Sequence, residues 1–448
     1  MLSNIMATES ATVSMASLVI DLEKLFVLFA LNLLANRTYH LMKFDLKYKP
    51  LLFISTILLF NLFQTSVFGE IPGVNTKQNR YSGIVPGAER TETYLPLLIG
   101  KNVAVVANIT SMVGNTHLVD TLLGSGVNIK KIFALEHGFR GDAANGEHIA
   151  DGKDVKTGLQ IISLYGANKK PSAAQLANVD VVIFDFQDVG VRFYTYLTSM
   201  HYIMEACAES NKIFIVLDRP NPNGYYTDGP ILEKKHTSMV GIHPIPLVHG
   251  MTLGELAFMI NGEKWLENKD SCPLIVIKCI NYDKSMTFEL PISPSPNLPS
   301  KESIVLYPSL GLLEGTVMSM GRGTSTPFEC FGAPWLKMGT YTFTPMDIPG
   351  KAVNPPYKGQ ECRGYELTSF AKYYLINHKK VYLEWLILLY KEAPEKEKFF
   401  NDVFFDKLAG TSQLRLDVIA GKSSDAIRAN WLVGLNAFKI QRQPYLIY

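Results

Sequence analysis

The chain lacks the features that mark metal, nucleotide or nucleic-acid chemistry. Its five cysteines, Cys207, Cys272, Cys279, Cys330 and Cys362, are an odd, sparse set with no Cys-x-x-Cys. That excludes a disulfide framework. Cys272 and Cys279 are close enough in sequence to pair, but buried free thiols are the simpler expectation. Nine scattered histidines show no ligand spacing, so no metal site and no cofactor is expected. Lys and Arg total 43 against 41 Asp and Glu. This balance leaves no electrostatic footprint for nucleic acid or an anionic membrane surface. No Gly-x-Gly-x-x-Gly follows the first apolar run, no Walker A sequence occurs, and no Gly-x-Ser-x-Gly elbow marks a serine hydrolase. Internal repeats and low-complexity tracts are also absent.

What is present is an ordinary globular composition. At 47% hydrophobic, a chain of 448 residues can bury a sizeable core and divide into two or three domains. The N-terminus is set apart. "MKFDLKYK" at 42–49 is basic, "PLLFISTILLFNLF" is apolar, and "QTSVFGE" offers small residues for cleavage near Gly69. This pattern reads as a signal peptide over 42–69, with residues 1–41 as a non-native upstream extension. The apolar run is short for a membrane span. The competing reading is an anchor built from both apolar stretches, 25–35 and 51–63. The expectation is a periplasmic or secreted protein with no stable membrane insertion after cleavage.

From residue 101 the pattern alternates. "KNVAVVAN", "IKKIFALE", "TGLQIISLYG", "VDVVIFDFQ" and "NKIFIVLDRPNPNG" read as strands; "THLVDTLLGSG", "SAAQLANVD" and "YLTSMHYIMEACAES" read as helices. Near-continuous apolar strands joined through helices predict an α/β fold, with a Rossmann-like, mostly parallel sheet covered on both faces. "PISPSPNLPS" at 291–300 reads as a linker or extended crossing segment. It divides a catalytic domain over 80–300 from a smaller α+β domain over 301–448 that closes the cleft. Helices are expected near 366–392 and 423–439.

The strand ends carry the chemistry. They finish at Asn108, Glu136, Asp185-Phe186-Gln187-Asp188 and Asp218-Arg219. Ligands of open α/β sheets bind outside the carboxyl ends of the strands, and buried carboxylates are costly unless paired or used. "ALEHGFRGDAANGEH" at 134–148 is the densest such cluster. Paired carboxylates, arginines and aromatics in an exported protein without a cofactor motif fit hydrolysis of a glycan. That reaction needs a carboxylic acid to protonate the leaving oxygen, and commonly a second carboxylate. Glu136 suits the acid, since burial would raise its pKa. Its structural alternative is an ion pair with Arg140. Asp185 and Asp188 are equally readable as catalytic or as turn residues, and Arg192 could simply pair with Asp188. Glu255 sits at the capping-box position of Thr252 and reads as a helix start.

The stretches "EHGFRGDAANGE", "FDFQDVGVRFYTYLTSMHYIMEA", "FIVLDRPNPNG", "PIPLVHGMTLGELA", "PSPNLPS", "LYPSLGLLEGT", "GRGTSTPFECFGAPW" and "PYLIY" together resemble the NamZ-type exo-β-N-acetylmuramidases, from about residue 80 to 448. The resemblance implies release of N-acetylmuramic acid from the non-reducing end of peptidoglycan fragments, in a cleft between the two domains, with Glu136 as the catalytic glutamate. "VANITS" at 106–111 matches the family pattern loosely, which leaves the role of Asn108 open. With Asp185 and Asp188 as further catalytic candidates, the candidate substrate contacts are His137, Arg140, Arg192, Tyr194, Asp218, Asn221, His249 and Arg322; Tyr196 is a further sugar contact. The lactyl carboxylate of muramic acid calls for a bidentate arginine, for which Arg140, Arg192 and Arg322 compete. His148 and Glu147 fall back to loop residues. The partners expected are muramic-acid-containing saccharides. The competing functions are a non-catalytic muropeptide binder on the same fold and an amidase or deacetylase.

Overall fold

The computed structural model describes residues 83–136, 138–140, 151–166, 168–268 and 271–448. The signal-peptide pattern, His137, Asp142, Glu147 and His148 lie outside them. Seven strands form the central sheet: β1 (Asn102–Ala107), β2 (Asn128–Ala134), β3 (Gly152–Lys153), β4 (Gln160–Ser163), β5 (Val181–Asp185), β6 (Ile213–Leu217) and β7 (Leu274–Ile277). Their order is β7-β6-β5-β1-β2-β4-β3. Every pairing is parallel except β3 with β4. This is the α/β, Rossmann-like sheet read from the alternating pattern.

The apolar strands follow from burial on both faces. All five residues of β5 are buried. One face packs Val103, Val105, Ile132, Ile183 and Leu217 against Leu118 and Leu122 of helix α1 (Leu118–Gly124). The other packs Phe133, Val182, Phe184 and Phe214 against Met200 and Met204 of α2 (Tyr196–Glu209) and Leu256 of α3 (Leu253–Gly262). The capping box at the start of α3 is formed. Thr252 Oγ1 accepts from the Glu255 N–H, and Glu255 Oε2 accepts from the Thr252 N–H.

Residues 291–300 run through bends and a turn to Ser300, the N-cap of α4 (Lys301–Leu310). Beyond it lie a three-stranded antiparallel sheet (Cys330–Ala333, Cys362–Glu366 and Tyr341–Phe343) and short helices including Glu384–Glu392, Asp402–Ala409 and Leu432–Gln441. Leu306, Phe331, Trp385 and Phe405 from this part share one apolar cluster with Phe184 and Met200. All five cysteines are buried free thiols, Cys272 and Cys279 flanking β7 rather than bridging.

The chain runs β1, β2, β4 outward on one side and then returns to β5 beside β1. The connections after β1 and β5 therefore diverge, which opens a crevice at the carboxyl edge of the sheet.

Candidate active site

The four strand ends named from the sequence belong to β6, β5, β1 and β2, which are adjacent in that order. They therefore share one edge. Over it lies a cavity of about 240 Å³ whose wall includes Glu136, Tyr165, Tyr194, Thr195, Tyr307, Glu314 and Arg322. The segment 291–300 contributes Ser295, Asn297 and Leu298 to the same wall. Residues from both sides of position 300 thus enclose it.

Glu136 is half-buried at the end of β2. Two hydroxyls donate to its carboxylate: Tyr165 Oη to Oε1 at 3.2 Å and Thr195 Oγ1 to Oε2 at 2.7 Å. Thr195 is the N-cap residue of α2, yet its side chain makes no cap bond there. The hydroxyl that would ordinarily close the helix end is given to Glu136 instead. Burial, with the Glu136 charge beside it, pushes the Tyr165 hydroxyl well above its ordinary value, so it stays a donor. Behind Glu136, Asn108 Nδ2 donates to Tyr196 Oη at 3.0 Å, and that hydroxyl approaches the Glu136 carbonyl at 3.5 Å. Asn108 also caps its own turn, its Oδ1 accepting from the Thr110 N–H and hydroxyl. It braces the site from beneath.

Arg140 does not pair with Glu136. Its guanidinium grips Asp154 through Nε and Nη2, both at 2.8 Å, and reaches Asp120 at 3.3 Å. Among the three arginines, Arg322 is on the cavity wall. Its Nη2 donates to Glu314 Oε2 at 2.8 Å, and its guanidinium lies 4.9 Å from the centre of the Phe328 ring. Arg192 is fully buried and bonds no carboxylate among the described residues. It donates to the carbonyls of Pro230, Ile245 and Leu408, and burial lowers its pKa to about 9.

The remaining sequence candidates sit below or beside the cavity. Asp185 is fully buried and held bidentately by Arg219 at 2.6 and 2.8 Å. Asp218 accepts from Thr252 Oγ1, the Gly254 N–H and Tyr448 Oη, and burial raises its pKa to about 6. Asn221 bonds the Met251 carbonyl and the Asn223 N–H. A Cβ at Gly190, where φ is +78°, would stand 2.2 Å from Asn221 Oδ1, so this turn admits only glycine. Asp188 accepts from the Gly190 N–H at 2.7 Å, and its Oδ2 lies 3.7 Å from His249 Nε2. Burial raises Asp188 to about 7 and lowers His249 to about 3, moving both towards their neutral forms. None of Asp185, Asp188, Arg192, Asp218, Asn221 and His249 lines the cavity. The loops after β5 and β6 consume them in their own folding. Tyr194 does line it, though its hydroxyl donates to the Pro294 carbonyl at 2.7 Å.

Sequence reasoning missed Tyr165, Thr195, Tyr307 and Glu314. Tyr165 follows β4, so it was findable as one more strand end, and Thr195 precedes α2. Tyr307 and Glu314 lie in "LYPSLGLLEGT", a stretch that carries the family resemblance, but neither was singled out as a site residue. Among the described residues no three His, Cys, Asp or Glu side chains are grouped as metal ligands would be.

Residues 103–302 match the family model Exo-beta-N-acetylmuramidase NamZ, N-terminal, and residues 305–448 match the corresponding C-terminal model. The chain is 39% identical over 376 residues to the peptidoglycan beta-N-acetylmuramidase NamZ of Bacillus subtilis (strain 168), covering 79% of this chain and 89% of that protein. Two solved DUF1343 family proteins from Bacteroides fragilis NCTC 9343 each cover 82% of this chain and are matched over 99% of their own. One is 46% identical with a TM-score of 0.76, and the other 29% identical with a TM-score of 0.67. A parallel sheet with its acidic edge under a cavity, and matches that span nearly all the described chain, lead to one conclusion: the chain belongs to the NamZ exo-β-N-acetylmuramidase family of glycoside hydrolases.

Proposed function

We propose that the protein is an exo-acting β-N-acetylmuramidase that releases N-acetylmuramic acid from the non-reducing end of peptidoglycan fragments in cell-wall turnover, with Glu136 as the general acid. The observation that carries this reading is the placement of Glu136: it reaches the cavity with both carboxylate oxygens held by hydroxyls. A fixed carboxyl group beside a sugar-sized space is what protonation of a glycosidic oxygen requires.

The walls from 80–300 and 301–448 act as the two halves of this site. Arg322 is the arginine that we assign to the lactyl carboxylate, because its guanidinium stands on the wall with Nη1 and Nε unused by Glu314. Asp185 and Asp188 act as supports of the edge. The basic, apolar and small-residue order from Met42 to Gly69 supports export to the periplasm or beyond; sequencing the mature N-terminus checks that step.

Incubation with a chromogenic β-N-acetylmuramide is expected to release the aglycone, unchanged by a chelator. Glu136→Gln should fold and lose about 10²- to 10⁴-fold in kcat, the range of general acid catalysis. Tight muropeptide binding without release by the native protein would make it a binder, and an active Glu136→Gln would remove Glu136 from the mechanism.

A further inference from the structure

Glycoside hydrolysis commonly pairs the acid with a second carboxylate, and neither Asp185 nor Asp188 lines the cavity. Among the described residues the wall carries one other carboxylate, Glu314. It lies in the turn 311–315 that follows α4, on the wall built from the chain beyond residue 300. Arg322 bonds its Oε2 at 2.8 Å, and the two side chains are 19% and 15% exposed. No described residue donates to Oε1. One oxygen is thus tied to a cation and the other is left for a ligand.

Tyr307 shares the cavity wall with the two acids. It is 8% exposed and lies within the electrostatic reach of Glu314, Arg322 and Glu136 together. Its hydroxyl has no hydrogen-bond partner among the described residues, so both carboxylates and an unused donor surround one space. The carboxylates differ in their company. Glu136 is bonded by two neutral hydroxyls, Glu314 by a guanidinium. Dissimilar environments for two acids in one cavity are what a division into proton donor and proton acceptor requires.

We infer that Glu314 is the second catalytic carboxylate, accepting the proton of the attacking water while Glu136 protonates the leaving oxygen; this rests on the glycosidase reading above. In that step the bond from the anomeric carbon to the leaving oxygen breaks, its electron pair staying on the oxygen, which takes the proton of Glu136. The water oxygen bonds to the anomeric carbon and its proton passes to Glu314 Oε1. Glu136 is left as carboxylate and Glu314 as acid, and exchange with solvent restores both. No other reactant is needed. Arg322 holds Glu314 in place from one side and leaves Nη1 and Nε for the anionic part of the sugar.

The test compares wild type, Glu314→Gln, Glu314→Ala and Glu136→Gln on aryl β-N-acetylmuramides with good and poor leaving groups, melting temperatures being measured alongside. Glu314→Gln is expected to lower kcat by about 10²-fold or more on both substrates with little change in KM. Azide, a small anionic nucleophile, should restore part of the kcat of Glu314→Ala. Glu136→Gln should instead be rescued by the good leaving group, which needs no proton. A Glu314→Gln enzyme with wild-type kcat overturns the inference. So does a loss that raises KM alone and ignores azide, since Glu314 would then serve only to hold Arg322. If Glu314→Gln does not fold, Glu314→Asp keeps the charge beside Arg322 and must show a lower kcat at unchanged KM; normal turnover there also overturns it. A wild-type protein that cleaves neither substrate defeats the glycosidase reading, and this inference with it, whereas an active wild type with an active Glu314→Gln defeats this inference alone.

Discussion

The carboxyl edge of the sheet has two halves built from the same residue types. On the β2 and β4 side, Glu136 and Tyr165 face the cavity, and among the described residues the acid's carboxylate is bonded only by hydroxyls. On the β5 and β6 side, Asp185 is clamped by Arg219, Asp188 faces His249, and Asp218 is closed over by Thr252, Gly254 and Tyr448. Sequence position at a strand end is equal in the two halves. The difference is what packs above them. Loops 220–254 and the C-terminal Tyr448 seal one half, and a buried carboxylate persists there only because it is bonded. The other half is roofed at a distance by Tyr307, Glu314 and Arg322, and its carboxylate stays available.

This contrast is breakable by mutation. The largest effect on stability is expected on the sealed side. Arg219→Leu strands the fully buried Asp185 without its partner and should cost about 3–5 kcal/mol, read as a lower urea midpoint. The matching change on the open side, Arg140→Leu, frees an arginine side chain that is 32% exposed and leaves Asp154 with the Thr157 N–H and hydroxyl as donors, so it should cost clearly less. Equal costs would erase the distinction between the halves.

Asp188→Asn gives a smaller, pH-dependent effect. Burial raises Asp188 to about 7, above its unfolded value. Its contribution is therefore fully present below about pH 4 and is lost as pH rises through about 7. The melting temperature of Asp188→Asn relative to wild type should climb across that window, by an amount corresponding to a few kcal/mol at most. His249, lowered to about 3, is neutral throughout that window although its Nε2 faces Asp188 at 3.7 Å. A constant difference from pH 4 to 8 would show that Asp188 is not held neutral.

The smallest effect belongs to the open side. Thr195→Val keeps the side-chain shape but removes the 2.7 Å bond to Glu136 Oε2. The loss of about 1 kcal/mol should appear as a roughly fivefold lower kcat/KM at nearly unchanged melting temperature. A fall in stability without a fall in turnover would return Thr195 to a purely structural role.

Much of the fold was legible because its strands are buried on both faces. "VDVVIFDFQ" contains β5, and "YLTSMHYIMEACAES" contains α2 almost residue for residue. The segment 291–300 was read as a linker or crossing segment and not recognised as part of the cavity wall. Of the site, Glu136, Tyr194 and Arg322 were named and do line the cavity. Arg192 was named as a carboxylate binder and His249 as a sugar contact, roles whose residue types a buried scaffold shares with a site. Tyr307 and Glu314 were passed over because a tyrosine in a helix and a glutamate in a turn look alike wherever they point.

The sequence by itself determined the parallel sheet and the edge on which ionisable groups gather. These follow from local patterning: apolar runs specify strands, and parallel strands joined through helices present their carboxyl ends together. Only the tertiary structure decided which of those groups remain free. Contacts such as Arg219 to Asp185, Tyr448 to Asp218 and Arg322 to Glu314 depend on which loops pack over which half of the edge. The first two join residues 34 and 230 positions apart. Burial and pairing at such separations are properties of the packed chain, and they determine whether a carboxylate braces the fold or faces a ligand.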